Sequence, residues 1–210
     1  MLIQLGLQRN CRRWKNFDEQ GIDMELKNLK TKFIGRNIVY FDTINSTQMY
    51  AKELENTEDG TVIIADSQTD GIGTHDRKWY TGKGDNIAIT FILYPNCNIN
   101  KLSNLTKIIA KCLNKAIENL YGYKLSIKEP NDIVYNNKKI GGILTETITN
   151  AEIVKKIFIG IGLNVNQKEF PEDLIQIASS LKNEFGVKLS REDIVSEFFN
   201  IFEIHYGRLI

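Results

Sequence analysis

The sequence is poor in the residues on which metal and redox chemistry depend. Its three cysteines, Cys11, Cys97 and Cys112, are odd in number and scattered, with no Cys-x-x-Cys pair. That speaks against a disulfide framework and against a structural zinc site, and reduced thiols fit the cytoplasm. Only two histidines are present, His75 and His205, so a His-based metal site lacks ligands. Magnesium held by carboxylates and substrate phosphates needs none. No apolar run reaches the roughly 18 residues that a membrane span requires, and the opening "MLIQLGL" is too short for a signal-peptide core. The expectation is a cytoplasmic protein without a membrane partner. Charge is equally undistinguished: 27 basic against 26 acidic residues leave +1, which provides no pull toward nucleic acid. There is no Walker-type phosphate loop, no Gly-x-Gly-x-x-Gly opening a helix, no internal repeat and no low-complexity tract.

What is present fits one domain. A chain of 210 residues is long enough for one ordinary core and short for two. Residues 1–33 read as a polar N-terminal extension with a small basic cluster at Arg12, Arg13 and Lys15 around Trp14. Residues 34–210 read as the folded domain. "IVYFD" from Ile38 is a strand, and Ser46 or Thr47 caps a helix whose apolar stripe is Met49, Tyr50 and Leu54. "TVIIAD" and "NIAITFILY" are further strands. Between them Ser67–Asp85 is an irregular loop long enough to be a functional lid, expected to order on ligand binding. Residues 101–121 have helical spacing and serve as scaffold. The segment 153–167 is a central strand interrupted by Gly160 and Gly162. Pro171 starts a helix through "EDLIQIASSLKNEF", and Ser190 caps the last one. The order β-α-β-loop-β-α-β-β-β-α-α predicts an α+β fold, a mixed sheet packed with helices, rather than a doubly wound parallel sheet.

The stretch Leu125–Glu146, "LSIKEPNDIVYNNKKIGGILTE", carries the densest chemistry. It reads as two strands folded back through Asn136-Asn137, loaded with Lys128, Asn131, Asp132 and Lys139. Gly141-Gly142 lies where a strand should carry side chains, which is tolerated where a ligand or another backbone comes close. Elsewhere, the Asp-Thr-Ile-Asn-Ser-Thr turn puts hydroxyls and amides at a helix N-terminus, suited to a polar or anionic ligand. Gly71 and Gly73 would free backbone N–H groups for a phosphate, with Arg77 and Lys78 supplying charge.

Together, "NST" before the first helix, "QTDGIGTHDRKW", "KEPND…KKIGGILTE" and "GIGLNVN" resemble, in order and spacing, the catalytic domain of biotin protein ligases, of class II synthetase-like fold, over about residues 34–210. That resemblance implies ATP-dependent formation of biotinyl-5'-AMP and transfer of biotin to a lysine of a biotin carboxyl carrier protein, with Mg2+ as the nucleotide's counterion. It implies that Ser46, Thr47 and Gln68 bind the biotin head group, that Lys139 meets the biotin carboxylate and the forming acyl phosphate, and that Gly71, Gly142 and Gly160 line the pocket wall. Arg77, Trp79, Lys128, Asn131 and Asn164 would surround the nucleotide, Arg77 also assisting catalysis, and Asp132 would orient or deprotonate the carrier lysine. Joining a carboxylate to an α-phosphate brings two anions together, and a fixed ammonium offsets the repulsion. A lysine amine, with a reference pKa of about 10.4, must shed a proton before it attacks.

The chain departs from the family pattern where Ile72 and Thr74 replace two arginines of the glycine-rich loop, Asp76 replaces a glycine, and Glu129 replaces a tryptophan. It is also expected to lack the family's N-terminal DNA-binding domain and small C-terminal β-domain. The alternatives are a weakly catalytic or non-catalytic biotin or adenylate binder, and a lipoate or octanoate ligase, although the Arg-Arg-x-x-Gly-Gly-Gly segment of the latter is missing. A homodimer is left open.

Overall fold

A computed structural model describes the backbone of Arg12–Arg13 and residues 26–210, except Lys83 and the side chain of Asp76. The cluster around Trp14 and Lys15, and Cys11, fall outside the described residues.

Eight strands form one continuous order, β1-β2-β3-β6-β11-β10-β9-β8, and β7 (Cys97–Asn98) pairs with the end of β11. β1 (Arg12–Arg13) pairs antiparallel with β2 (Ile38–Ile44), which runs parallel to β3 (Val62–Gln68). β6 (Ile87–Leu93), β11 (Ile153–Leu163), β10 (Lys138–Asn150), β9 (Asp132–Tyr135) and β8 (Ser126–Lys128) continue antiparallel. The sheet is therefore mixed, as the element order predicts.

Alternation along the central strands assigns the faces. Ile87, Ile89, Phe91 and Leu93 of β6, with Ile157, Ile159, Ile161 and Leu163 of β11, turn toward the main core beneath α2 (Leu105–Tyr121) and α4 (Arg191–Tyr206). Phe91 meets Phe198, Phe199 and Phe202 edge-on at centroid distances of 6.1, 5.4 and 5.5 Å. Each such ring contributes about 1.5–3 kcal/mol by leaving water. The opposite face is covered by the short helix α1 (Thr47–Glu53) over Phe41, Ile63, Ala65, Ile92 and Phe158. Beyond α1 that face is left without apolar cover, and the cleft lies there.

Several local expectations change. The buried residues of α1 are Thr47, Gln48 and Ala51, whereas Met49 is 36% exposed and Tyr50 and Leu54 are half-buried. The helix turns a polar face to the sheet because that face lines the cleft. The Leu125–Glu146 stretch holds three strands, β8 and β9 joined through Glu129–Asn131 and β9 and β10 joined through Asn136-Asn137, both at positive φ. The helix expected from Pro171 is reduced to α3 (Leu181–Phe185). Its upstream backbone is taken by neighbours: Lys139 N–H donates to Ile177 C=O at 2.8 Å, and Ser179 N–H donates to Lys139 C=O at 3.0 Å. Residues 28–33, expected at the solvated end of an extension, are strapped to α4, as is Ile34 at the start of the expected domain. Glu203 accepts the amides of Lys32, Phe33 and Ile34 at 2.5, 3.1 and 3.0 Å.

Toward the C-terminal end of β3, Arg191 at the start of α4 meets Asp66 at 2.9 Å, and Tyr40 donates to the same carboxylate at 2.6 Å. Burial and this neighbour push the Tyr40 phenol well above its ordinary range. Gly60, before β3, sits at φ +79° with a would-be Cβ 2.7 Å from Phe33 C=O. Gly60→Ala is therefore expected to destabilise the fold by about 1–3 kcal/mol. Urea unfolding monitored by circular dichroism checks this, and an unchanged midpoint would refute it.

Candidate active site

The cleft lies between α1, the central strands and the loop after β3, and encloses about 450 Å3 of space continuous with solvent. One wall is a row of polar side chains. Ser46 accepts the Met49 amide at 3.4 Å as N-cap of α1. Gln68 Oε1 accepts both the Thr47 amide, at 2.8 Å, and the Thr47 hydroxyl, at 3.1 Å, and Gln68 Nε2 donates to Thr81 at 3.2 Å. Thr47 and Ser46 are almost fully buried, so these groups are aimed by their bonds rather than by water.

The floor is backbone. Gly142 pairs with Gly162, and Leu144 with Gly160, across β10 and β11, and all four line the cleft. The loop folds over this floor as a small ribbon, β4 (Gly71–Ile72) paired with β5 (Lys78–Trp79). Trp79 lies flat on Gly162: a Cβ there would stand 2.3 Å from the indole Cε2. The buried indole Nε1 has no hydrogen-bond partner among the described residues.

Lys139 closes the other side. A register shift in β10 leaves Ile140 unpaired between Lys139↔Val134 and Gly141↔Ile133, and such bulges re-aim side chains. The Lys139 ammonium reaches Asp132 Oδ1 at 2.6 Å and stands 5.6 Å from the centre of the Trp79 ring. Asp132 Oδ1 is buried and accepts no directed hydrogen bond among the described residues, so the contact is an ion pair approached off the lone-pair direction. Beside it, Asn131 donates to Ile143 C=O at 3.0 Å.

Of the residues singled out from the sequence, Ser46, Thr47, Gln68, Trp79, Asn131, Lys139, Gly142 and Gly160 line the cleft. Gly71, Asp132, Arg77, Lys128 and Asn164 are not on its lining. Gly71 supports Trp79 from behind, its would-be Cβ 2.5 Å from Trp79 C=O. The exposed Arg77 guanidinium turns back on Thr74, 3.2 Å from its carbonyl and 3.1 Å from its hydroxyl. Lys128 is exposed, and the Asn164 amide donates to Ser179 C=O at 3.1 Å. Ile72 and Thr74 stand on the cleft wall. Glu129 reaches across to Lys107 of α2, which holds its carboxyl below the usual range.

Four lining or supporting groups escaped the sequence reading. Thr90 is a lone hydroxyl in the otherwise apolar β6, and that contrast was a usable signal. Gly162 was visible as an interruption of β11 without an assigned partner. Gln48 and Glu146, 98 positions apart and hydrogen-bonded at 2.7 Å, offered no signal in spacing.

Fold and site together define a small-molecule ligase-like domain, in which a lysine and a row of hydroxyl and amide groups face a bare stretch of β-sheet. The chain belongs to the Biotin/lipoate A/B protein ligase family, whose model matches residues 40–164. It is similar to the Bifunctional ligase/repressor BirA of Bacillus subtilis strain 168, with 38% identity over 182 residues, 85% of this chain and 56% of that protein. Among solved structures it is similar to the biotin protein ligase of Aquifex aeolicus in complex with biotin and ATP, at 28% identity and TM-score 0.72, covering 82% of this chain and 71% of that one. It is likewise similar to the biotin protein ligase of Leishmania major in complex with biotinyl-5-AMP, at 25% identity and TM-score 0.67, covering 82% and 76%. The chain spans little more than half the length of the BirA proteins it matches.

Proposed function

We propose that the protein activates biotin with MgATP to biotinyl-5'-AMP and passes the biotinyl group to a lysine of a biotin carboxyl carrier protein. The observation that carries this reading is the Lys139 ammonium held on a glycine-floored cleft beside Asp132, in a chain similar in structure to proteins named as biotin protein ligases. In the first step a biotin carboxylate oxygen attacks the α-phosphorus and pyrophosphate leaves. Lys139 offsets the repulsion between these anions, which water would otherwise screen. Ser46, Thr47 and Gln68 hold the head group, with Gly71 on the biotin side, while Trp79 and Asn131, with Arg77, Lys128 and Asn164, hold the nucleotide side. In the second step the carrier amine attacks the acyl carbon and AMP leaves. Asp132 accepts the proton that the incoming lysine must lose.

No group of three or more His, Cys, Asp or Glu side chains among the described residues could hold a metal. Magnesium would enter with the nucleotide substrate, on its phosphates. The near-zero net charge favours a protein acceptor over nucleic acid, and no helix among the described residues is long and apolar enough to cross a membrane. We place the activity in the cytoplasm.

A second reading, a binder that makes or holds the adenylate without efficient transfer, is favoured by one observation: Ile72 and Thr74 occupy the cleft wall where cationic side chains would grip phosphate. Incubation with biotin, ATP, magnesium and a carrier domain separates the readings. Ligase activity gives biotin-dependent pyrophosphate and a mass gain on the carrier lysine. Pyrophosphate without carrier modification supports the second reading, and biotin-independent behaviour throughout would remove both.

A further inference from the structure

The polar wall has more acceptors than protons, and a residue outside the cleft sets that imbalance. Glu146 of β10 lies at its edge with a side chain 36% exposed, and accepts from Lys52 of α1 at 2.6 Å and from Gln48 Nε2 at 2.7 Å. A carboxylate can only accept, so the Gln48 amide must present N–H2 to Glu146 and its carbonyl oxygen to the other side. There Gln48 Oε1 faces the Thr90 hydroxyl at 3.1 Å, Thr90 lies 2.9 Å from the Thr47 hydroxyl, and Thr47 lies 3.1 Å from Gln68 Oε1. The orientation of Gln68 is settled as well, because the Thr47 backbone N–H donates to its Oε1 at 2.8 Å.

The row thus begins and ends on a carbonyl oxygen. Between the two carbonyls lie three close contacts and two hydroxyl protons, so one contact must go without a proton. Gln48, Thr47 and Thr90 are each at most 3% exposed, so the contact without a proton holds two oxygen acceptors against each other away from water, which is costly even though Gln68 Oε1 keeps the Thr47 N–H. A ligand bringing an N–H to this wall relieves the shortage, whereas a ligand lacking one does not.

We infer that Glu146 is a positioning residue which, by fixing the direction of the Gln48 amide, keeps the wall short of one donor and so selects an acid whose head group carries N–H. This rests on the biotin reading above and deepens it, since the cyclic urea of biotin has two N–H groups. The isosteric change Glu146→Gln removes the fixed direction. Gln48 can then turn its N–H2 toward Thr90, three protons serve three contacts, and the wall is satisfied without ligand.

The test measures biotin binding by titration calorimetry together with biotin KM and kcat from pyrophosphate release. For Glu146→Gln, Kd and KM for biotin should both rise about tenfold, the loss of one buried hydrogen bond, with kcat within twofold of wild type. A damaged cleft would instead lower kcat as KM rises. The exchange Gln48→Glu with Glu146→Gln restores an acceptor facing Thr90, and should recover most of the lost affinity. An unchanged Kd in Glu146→Gln, or an exchange variant no better than the single one, would overturn the inference while leaving biotin activation standing. Absence of biotin binding by the wild-type protein would overturn the activity itself.

Discussion

Replacing Lys139 with alanine is expected to slow biotin-dependent pyrophosphate release about a thousandfold, the upper range for removing one preorganised group opposite developing charge. The fold should survive the change. What ties this residue into the structure is its backbone, through Ile177 and Ser179 and the ladder with Val134, and alanine keeps all of it. The side chain contributes only its ammonium, 31% exposed against 20% for its partner Asp132. Removing it leaves Asp132 as an unneutralised anion facing the approach of the substrate carboxylate, so the loss exceeds that of an attractive contact alone. Quenched-flow measurement of pyrophosphate, with circular dichroism to confirm folding, gives the answer. A Lys139→Ala protein turning over at the wild-type rate would end the activation mechanism.

Gly162→Ala should be nearly as damaging although it adds only a methyl group. The new Cβ would lie 2.3 Å from Trp79 Cε2, 2.6 Å from Nε1 and 2.7 Å from Cζ2. A rigid indole cannot yield at one atom, so the whole ring must lift by about 1 Å to reach van der Waals separation. The same ring stands beside Lys139 and carries β5, hence the loop that covers the cleft. A displacement of this size near reacting groups costs about a hundredfold, which is the expected fall in pyrophosphate release. Trp79 is one of two tryptophans, so in a Trp14→Phe background its emission reports the ring alone. The maximum should move to the red as the half-buried ring leaves its seat on Gly162 and its Nε1 meets water. An alanine variant with unshifted emission and full activity would show that the contact between ring and floor is dispensable.

These two positions also mark how far the sequence could be read. Strands β2, β3, β6 and β11 and helices α2 and α4 were legible because hydrophobic period alone distinguishes them. The caps at Ser46 and Ser190 carry their own chemistry, each accepting an amide three residues on. The turn at Asn136-Asn137 announced itself through residues that tolerate positive φ. Failure came where distant chain supplied the missing partners. Residues 171–180 have a helical look, yet their amides and carbonyls pair with Lys139 and with one another, and the Leu181 amide donates to Asn164 C=O. Of the stripe expected on α1, Tyr50 and Leu54 pack against the smaller core cluster while Met49 turns outward, because the helix also buries hydroxyl and amide groups against Thr90, Gln68 and Glu146, which periodicity reads as surface. In the cleft, residues to which the motifs give a role could be found, while the pairing of Gln48 with Glu146, the last residue of one motif, depends on register between α1 and β10 that spacing does not encode.

Helix α1 is anchored to the sheet at both ends. Its first turn bonds to Gln68 and Thr90, and its last carbonyl, that of Leu54, accepts the buried Lys156 ammonium of β11 at 2.7 Å. Opposite it, the β4–β5 ribbon is two residues wide on each side and exposes Arg77, Lys78 and Tyr80. The cleft is thus a clamp with one hard jaw and one soft jaw. Substitutions on the two sides are therefore expected to act differently, changes to α1 on head-group selectivity and changes to the ribbon on residence time.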